Sequence, residues 1–231
     1  MFSAPRFVGD TDDCTHVHQG TSAIYEQPFT FRLRLSAARR RLLELVAYTS
    51  LDLMRWGLVP YWAKGHQIGF STINAMAETV DTKPVFREAF KRRRCLVPIE
   101  AFCNWKKVSP KEKQPYAIAL ADRSIMALAG LWETWHSSAQ ETIRSFTIIT
   151  TTPNELCAEV HNRMPVILPP EVWTVWLDEE PVEVATLKGF LSPYPAERMT
   201  LWPVDKRVGN VKNNDPSLIK PISTRQDAPG A

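Results

Sequence analysis

The chain has 231 residues, 44% hydrophobic and 23% charged, and its 28 basic and 25 acidic residues leave a net charge of +3. So small an excess demands no nucleic-acid partner; any site for an anionic polymer must come from local clustering. Eighteen prolines beside nine glycines argue against a helical bundle. Cys14, Cys95, Cys103 and Cys157 are scattered without a C-x-x-C pair, which reads as reduced thiols in the cytoplasm. No apolar run approaches the roughly 20 residues that span a bilayer. The N-terminus lacks the basic-then-apolar order of a signal peptide. The expectation is a soluble, cytoplasmic, single-domain protein with no membrane partner.

Along the chain, residues 1–30 are polar and broken by Pro5, Gly9, Gly20 and Pro28. The run 36–47 combines good helix formers with a Ser at its start and predicts a helix. Residues 51–60 read as a strand that stops at Pro60. Residues 82–94 read as a short amphipathic helix with Val85, Ala89 and Phe90 on its apolar stripe and a strongly basic C-terminal end. The stretch 94–107 is strand-like and 108–114 is a polar loop. Three apolar stretches, 115–122, 124–135 and 144–152, predict neighbouring antiparallel strands. A Pro-led helix is expected over 169–178, and a loose tail over 223–231. The fold class is α+β: one domain over 1–222, with a curved, mainly antiparallel, barrel-like sheet and peripheral helices.

Five segments carry chemistry. Cys14, His16 and His18 would share a strand face with ligand types that suit zinc, but no further Cys/His pair has ligand spacing, so no metal is expected. A basic density runs through Arg87, Lys91, Arg92, Arg93 and Arg94 and on through Lys106, Lys107, Lys111 and Lys113. With Trp56, Trp62 and Trp105 in the same third of the chain, it resembles a single-strand platform of phosphate-holding cations and base-stacking aromatics. Such a run can equally be a solvated face. His161 precedes Asn162, Arg163 and a Pro-led apolar strand; at a strand entrance it can exchange protons near neutrality, with Arg163 placed to hold a phosphate. Asn74 either caps a turn or presents its amide to a ligand. The run 208–215, with Gly209, three asparagines and Lys212, reads first as a turn and second as an anion cradle.

Taken together, MRWGLVPYW (54–62), INAMAET (73–79), PVFREAFKRRRCLVP (84–98), FTIITTTPN (146–154), VHNRMPVIL (160–168) and VGNVKNND (208–215) resemble the SOS response-associated peptidase (SRAP) family over roughly residues 51–222. The resemblance implies recognition of abasic sites in single-stranded DNA. In that family an N-terminal cysteine, exposed when the initiator Met is removed, condenses its amine with the sugar aldehyde. Its thiol then closes a thiazolidine. The resemblance assigns Asn74, His161 and Thr150 to the reacting centre, with Asn104 at the position of the family's glutamate. It puts Arg6, Trp62, Lys83, Arg163, Lys212 and Asn213 among DNA-contacting positions.

Three departures stand out. Arg6-Phe7 pairs with the family's Arg-Phe, which places Ala4 where the cysteine belongs. The family's G-F-Y-E-W has become Ala101-Phe102-Cys103-Asn104-Trp105, and Met76 stands where the motif has an arginine. An amide hydrogen-bonds but neither gives nor takes a proton at neutral pH, and strand alternation turns the Cys103 thiol away from Asn104. The expectation is a cofactor-free, monomeric protein. It binds single-stranded DNA at or near abasic sites, nucleoid-associated when bound, and has lost the covalent step. Two alternatives remain: an active crosslinker or AP-lyase with autopeptidase activity through a non-canonical nucleophile, and a non-enzymatic protein-interaction module.

Overall fold

The computed structural model describes residues 52–138, 141–210, 212–213 and 215–222. The helix expected over 36–47, the Cys14/His16/His18 cluster, Ala4, Arg6 and the 223–231 tail lie outside these. A six-stranded sheet is built on β7 (Thr142–Thr151) and β6 (Met126–His136), an antiparallel pair, with β3 (Arg94–Ile99) antiparallel to β6 on the far side. The short strands β1 (Arg55–Trp56) and β2 (Asn74–Met76) run parallel to β7, and β8 (Met164–Pro165) runs antiparallel to it. A second sheet orders β4 (Phe102–Lys107), β5 (Lys113–Leu120) and β9 (Met199–Pro203), all antiparallel. Around them lie α1 (Arg87–Arg92), α2 (Glu155–Ala158), α3 (Trp173–Leu177) and α4 (Val184–Gly189).

The α+β class holds, but the barrel does not: the described strands form two separate sheets with no pairing between them. The reason is visible at residues 99–102. Val97 and Ile99 point into the core shared by the two sheets, and so do Phe102 and Ile118. The inward positions therefore slip from odd to even, which one continuous strand of period two cannot accommodate. The run 94–107 accordingly breaks at Glu100–Ala101 and sends its halves to different sheets. By the same division β5 pairs with β4 and β9, not with β6 as the apolar stretches suggested. The strand expected over 51–60 shrinks to Arg55–Trp56, because Gly57 follows at φ +105°, packed so closely that a Cβ there would lie 2.4 Å from the Gly69 carbonyl oxygen. The helix expected over 169–178 divides into a 3-10 turn at Pro170–Val172 and α3.

Three apolar layers result. One lies between the large sheet and α1, α3 and α4, where the buried rings of Phe90 and Trp176 meet edge to face at 6.1 Å. Burying a ring of that size stabilises the fold by about 2–3 kcal/mol. A second layer fills the space between the sheets, and a third covers the outer face of the small sheet. No helix among the described residues is long and apolar enough to cross a membrane.

Candidate functional site

The layer between the sheets ends in polar groups. On β7, Phe146 and Ile148 face the small sheet, so by alternation Thr150 does too. Asn74 stands in register with Ile148, and Met76 with Thr150, which puts Asn74 on that same side. From the small sheet Phe102 enters the shared core, and Asn104, two residues on, follows it. Cys103 takes the opposite face and packs with Ala117 and Trp202, as alternation predicted. Asn74 is half-buried and Asn104 is 2% exposed, yet neither amide makes a side-chain hydrogen bond to a described residue. Buried amides are normally satisfied by protein or water. Both amides face the layer between the two sheets.

His161 is bracketed over this place by its neighbours. Its backbone N–H donates to the Cys157 carbonyl (2.9 Å) at the exit of α2. Two residues before it, Glu159 meets Lys106 of β4 at 3.7 Å, on the same strand face as Asn104. Two residues after it, Arg163 donates to the Thr150 carbonyl at 2.5 Å. The Arg163 backbone N–H also donates to His161 Nδ1 (3.1 Å). A neutral imidazole that accepts at Nδ1 carries its proton on Nε2. Burial pushes the His161 pKa below its ordinary 6.5, which favours the neutral ring.

Arg163 is held rather than extended. Its two terminal nitrogens grip both oxygens of Glu78, Nη2 to Oε2 at 2.9 Å and Nη1 to Oε1, while Nη2 reaches Thr150 as well. That fork pulls the Glu78 carboxyl below its ordinary range. Lys188 of α4 braces the same turn through the Glu78 carbonyl (3.2 Å) and Asp81 (2.8 Å). Sequence reasoning passed over Glu78. Its signal was present, a carboxylate inside INAMAET, but its partner lies 85 residues away.

The other expected residues are dispersed. Trp62 is 49% exposed in the 60–63 turn, which follows Val59, whose N–H donates to Ser145 Oγ near the start of β7. Five residues separate Ser145 from Thr150, about 16 Å along the strand, so Trp62 sits toward the other end of the sheet. Lys83 is exposed on the turn before α1. Asn213 donates its amide to the Arg207 carbonyl (2.9 Å), and the Lys212 N–H donates to Asn210 Oδ1 (3.0 Å), so the turn reading of 208–215 is realised. The Lys212 side chain remains exposed. Burial pushes the Cys95 and Cys157 thiols up to about 12, leaving both inert near neutrality.

The chain is similar to known proteins in sequence as well as in fold. Residues 22–211 match the family described as SOS response associated peptidase (SRAP), and the chain belongs to that family. The abasic site processing protein YoqW of Bacillus subtilis (strain 168) is 42% identical over 170 residues, 74% of this chain and 76% of that protein. The abasic site processing protein HMCES of Xenopus tropicalis is 31% identical over 199 residues, 76% of this chain and 58% of that protein. A crystal structure of a Bacteroides thetaiotaomicron protein superposes with a TM-score of 0.70 at 30% identity, covering 74% of this chain and 77% of that one.

Proposed function

We propose that this protein binds single-stranded DNA at abasic sites and holds the exposed sugar without forming a thiazolidine. The observation that carries this reading is the placement of the Asn74 and Asn104 amides, neither bonded to a described side chain or backbone group, on the facing sides of the two sheets near His161. A ring-opened deoxyribose offers an aldehyde oxygen and hydroxyls, the groups that two amides and one N–H recognise. The relatives' names, abasic site processing proteins, point to the same lesion.

The missing covalent step follows from the residues present. Asn104 stands where the family has a carboxylate and moves no proton. Ala4 stands at the position aligned with the reactive cysteine. Of the described thiols, Cys95 and Cys157 are held protonated by loss of solvent, and Cys103 faces the outer layer. His161, neutral with Nε2–H toward the sugar, polarises an oxygen rather than accepting a proton.

The test is incubation with an oligonucleotide bearing one abasic site, followed by native and then denaturing electrophoresis. The expected result is a shifted band that disappears on heating in denaturant. A heat-stable adduct overturns the non-covalent reading. An adduct seen only after borohydride reduction replaces it with imine chemistry.

A further inference from the structure

We infer that the β4–β5 hairpin tip, together with the 206–212 loop, forms a second nucleic-acid surface that holds backbone phosphates of DNA flanking the cleft. The inference rests on the proposed DNA reading and extends it from the cleft to the hairpin tip, where the sequence left a phosphate platform and a solvated face as alternatives. Lys107 and Lys113 stand directly opposite each other in the β4–β5 register. Like charges at such a pair oppose folding. Lys107, Lys111 and Lys113 are exposed and have no acidic partner among the described residues.

The loop joins this surface through two contacts. Lys206 reaches Glu112 of the tip at 2.8 Å. Gly209 lies flat on Trp105, where a Cβ would come 2.9 Å from Cζ2. That approach carries the exposed Lys212 to the same end of the small sheet. Lysine on an edge strand can serve only to prevent edge-to-edge pairing. Lys113 lies beyond the β5–β9 pairing, which covers Tyr116–Leu120, but guarding an edge takes one lysine, and here two face each other across the hairpin. A cross-strand lysine pair that weakens the hairpin is stabilised when an anion lies across both ammonium groups. A nucleic-acid strand leaving the cleft past Asn104 and Lys106 of β4 supplies such anions in series.

The test compares wild type with the triple variant Lys107→Gln, Lys111→Gln, Lys113→Gln by fluorescence anisotropy. The probes are 15-nucleotide single strands with and without one central abasic-site analogue, titrated across sodium chloride concentrations. The expected result for the variant is about tenfold weaker binding at low salt. Its slope of log affinity against log salt is shallower by about 2, from roughly 0.7 per phosphate contact. The preference for the lesion is unchanged, because the cleft is intact. The variant also melts at or above the wild-type temperature, since a repulsion has been removed; this separates lost binding from lost folding. Wild-type affinity and salt slope in the folded variant overturn the surface while leaving the cleft reading in place. Wild-type protein that binds DNA with no lesion preference overturns the cleft reading, and the variant's salt slope still decides the surface. Wild-type protein that binds neither probe overturns both.

Discussion

The cations of residues 87–94 and those of residues 106–113 look alike in sequence and behave oppositely in the fold. In the first group Arg94 is 5% exposed and donates to the carbonyls of Trp176 (2.7 Å), Phe90 (3.1 Å), Lys91 (2.5 Å) and Asp178. It ties the ends of α1 and α3 together and satisfies helix-terminal acceptors that would otherwise be buried unpaired. Arg93 meets the buried Glu133 at 2.7 Å, while Arg87 and Lys91 lie beside Glu88. In the second group Lys107, Lys111 and Lys113 face water and one another. A dense run of positive charge is therefore two things: a clamp where the chain turns inward, and an anion-seeking tip where it turns out.

Perturbing the two groups separates these roles, and the largest effect belongs to Arg94. Arg94→Ala strands four carbonyls in a dry region, and urea denaturation should show a loss of about 3–4 kcal/mol. Arg93→Ala leaves Glu133 buried without its partner, an expected loss of about 2–3 kcal/mol at pH 7. Burial already holds the Glu133 carboxyl above its ordinary value. An acid with a raised folded pKa binds its proton more tightly when folded, so the Arg93→Ala deficit should shrink as pH falls toward 5. A deficit that does not change with pH would show that the charge on Glu133 is not its source.

His161 gives a smaller signal at the cleft. Its ring should titrate below 6.5 and show the Nε2–H tautomer by nitrogen-15 NMR. Because the neutral form is favoured only in the folded state, stability should fall as pH drops below 6.5, until His161 itself protonates. An Nδ1–H tautomer would remove the donor role assigned to the ring. The smallest effect is expected from Arg87→Gln with Lys91→Gln, whose exposed ion pairs with Glu88 are worth under about 0.5 kcal/mol in thermal melts. The same double substitution should leave DNA affinity within about twofold, against the tenfold loss expected at the hairpin tip.

The candidate residues could be singled out because they sit in short motifs. INAMAET placed Asn74, FTIITTT placed Thr150, and VHNRMP placed His161. Alternation alone put Asn104 and Cys103 on opposite faces. The barrel was misread because its continuity depends on one strand over 94–107, where the phase slip between Ile99 and Phe102 divides the chain between sheets. Glu78 went unnoticed as the partner of Arg163, since a carboxylate in a turn says nothing about which guanidinium will find it.

The sequence alone determined the α+β class and the family, because these depend on residue type and on periods of a few residues. Only the tertiary structure decided which charges are neutralised. Arg93 and Glu133 are 40 residues apart, Arg163 and Glu78 are 85 apart, and the carbonyls of Trp176 and Asp178 lie more than 80 residues from Arg94. Coulombic and hydrogen-bond partners are chosen by proximity in space, and a separation of that length is closed by packing the sheets and helices, not by any local pattern.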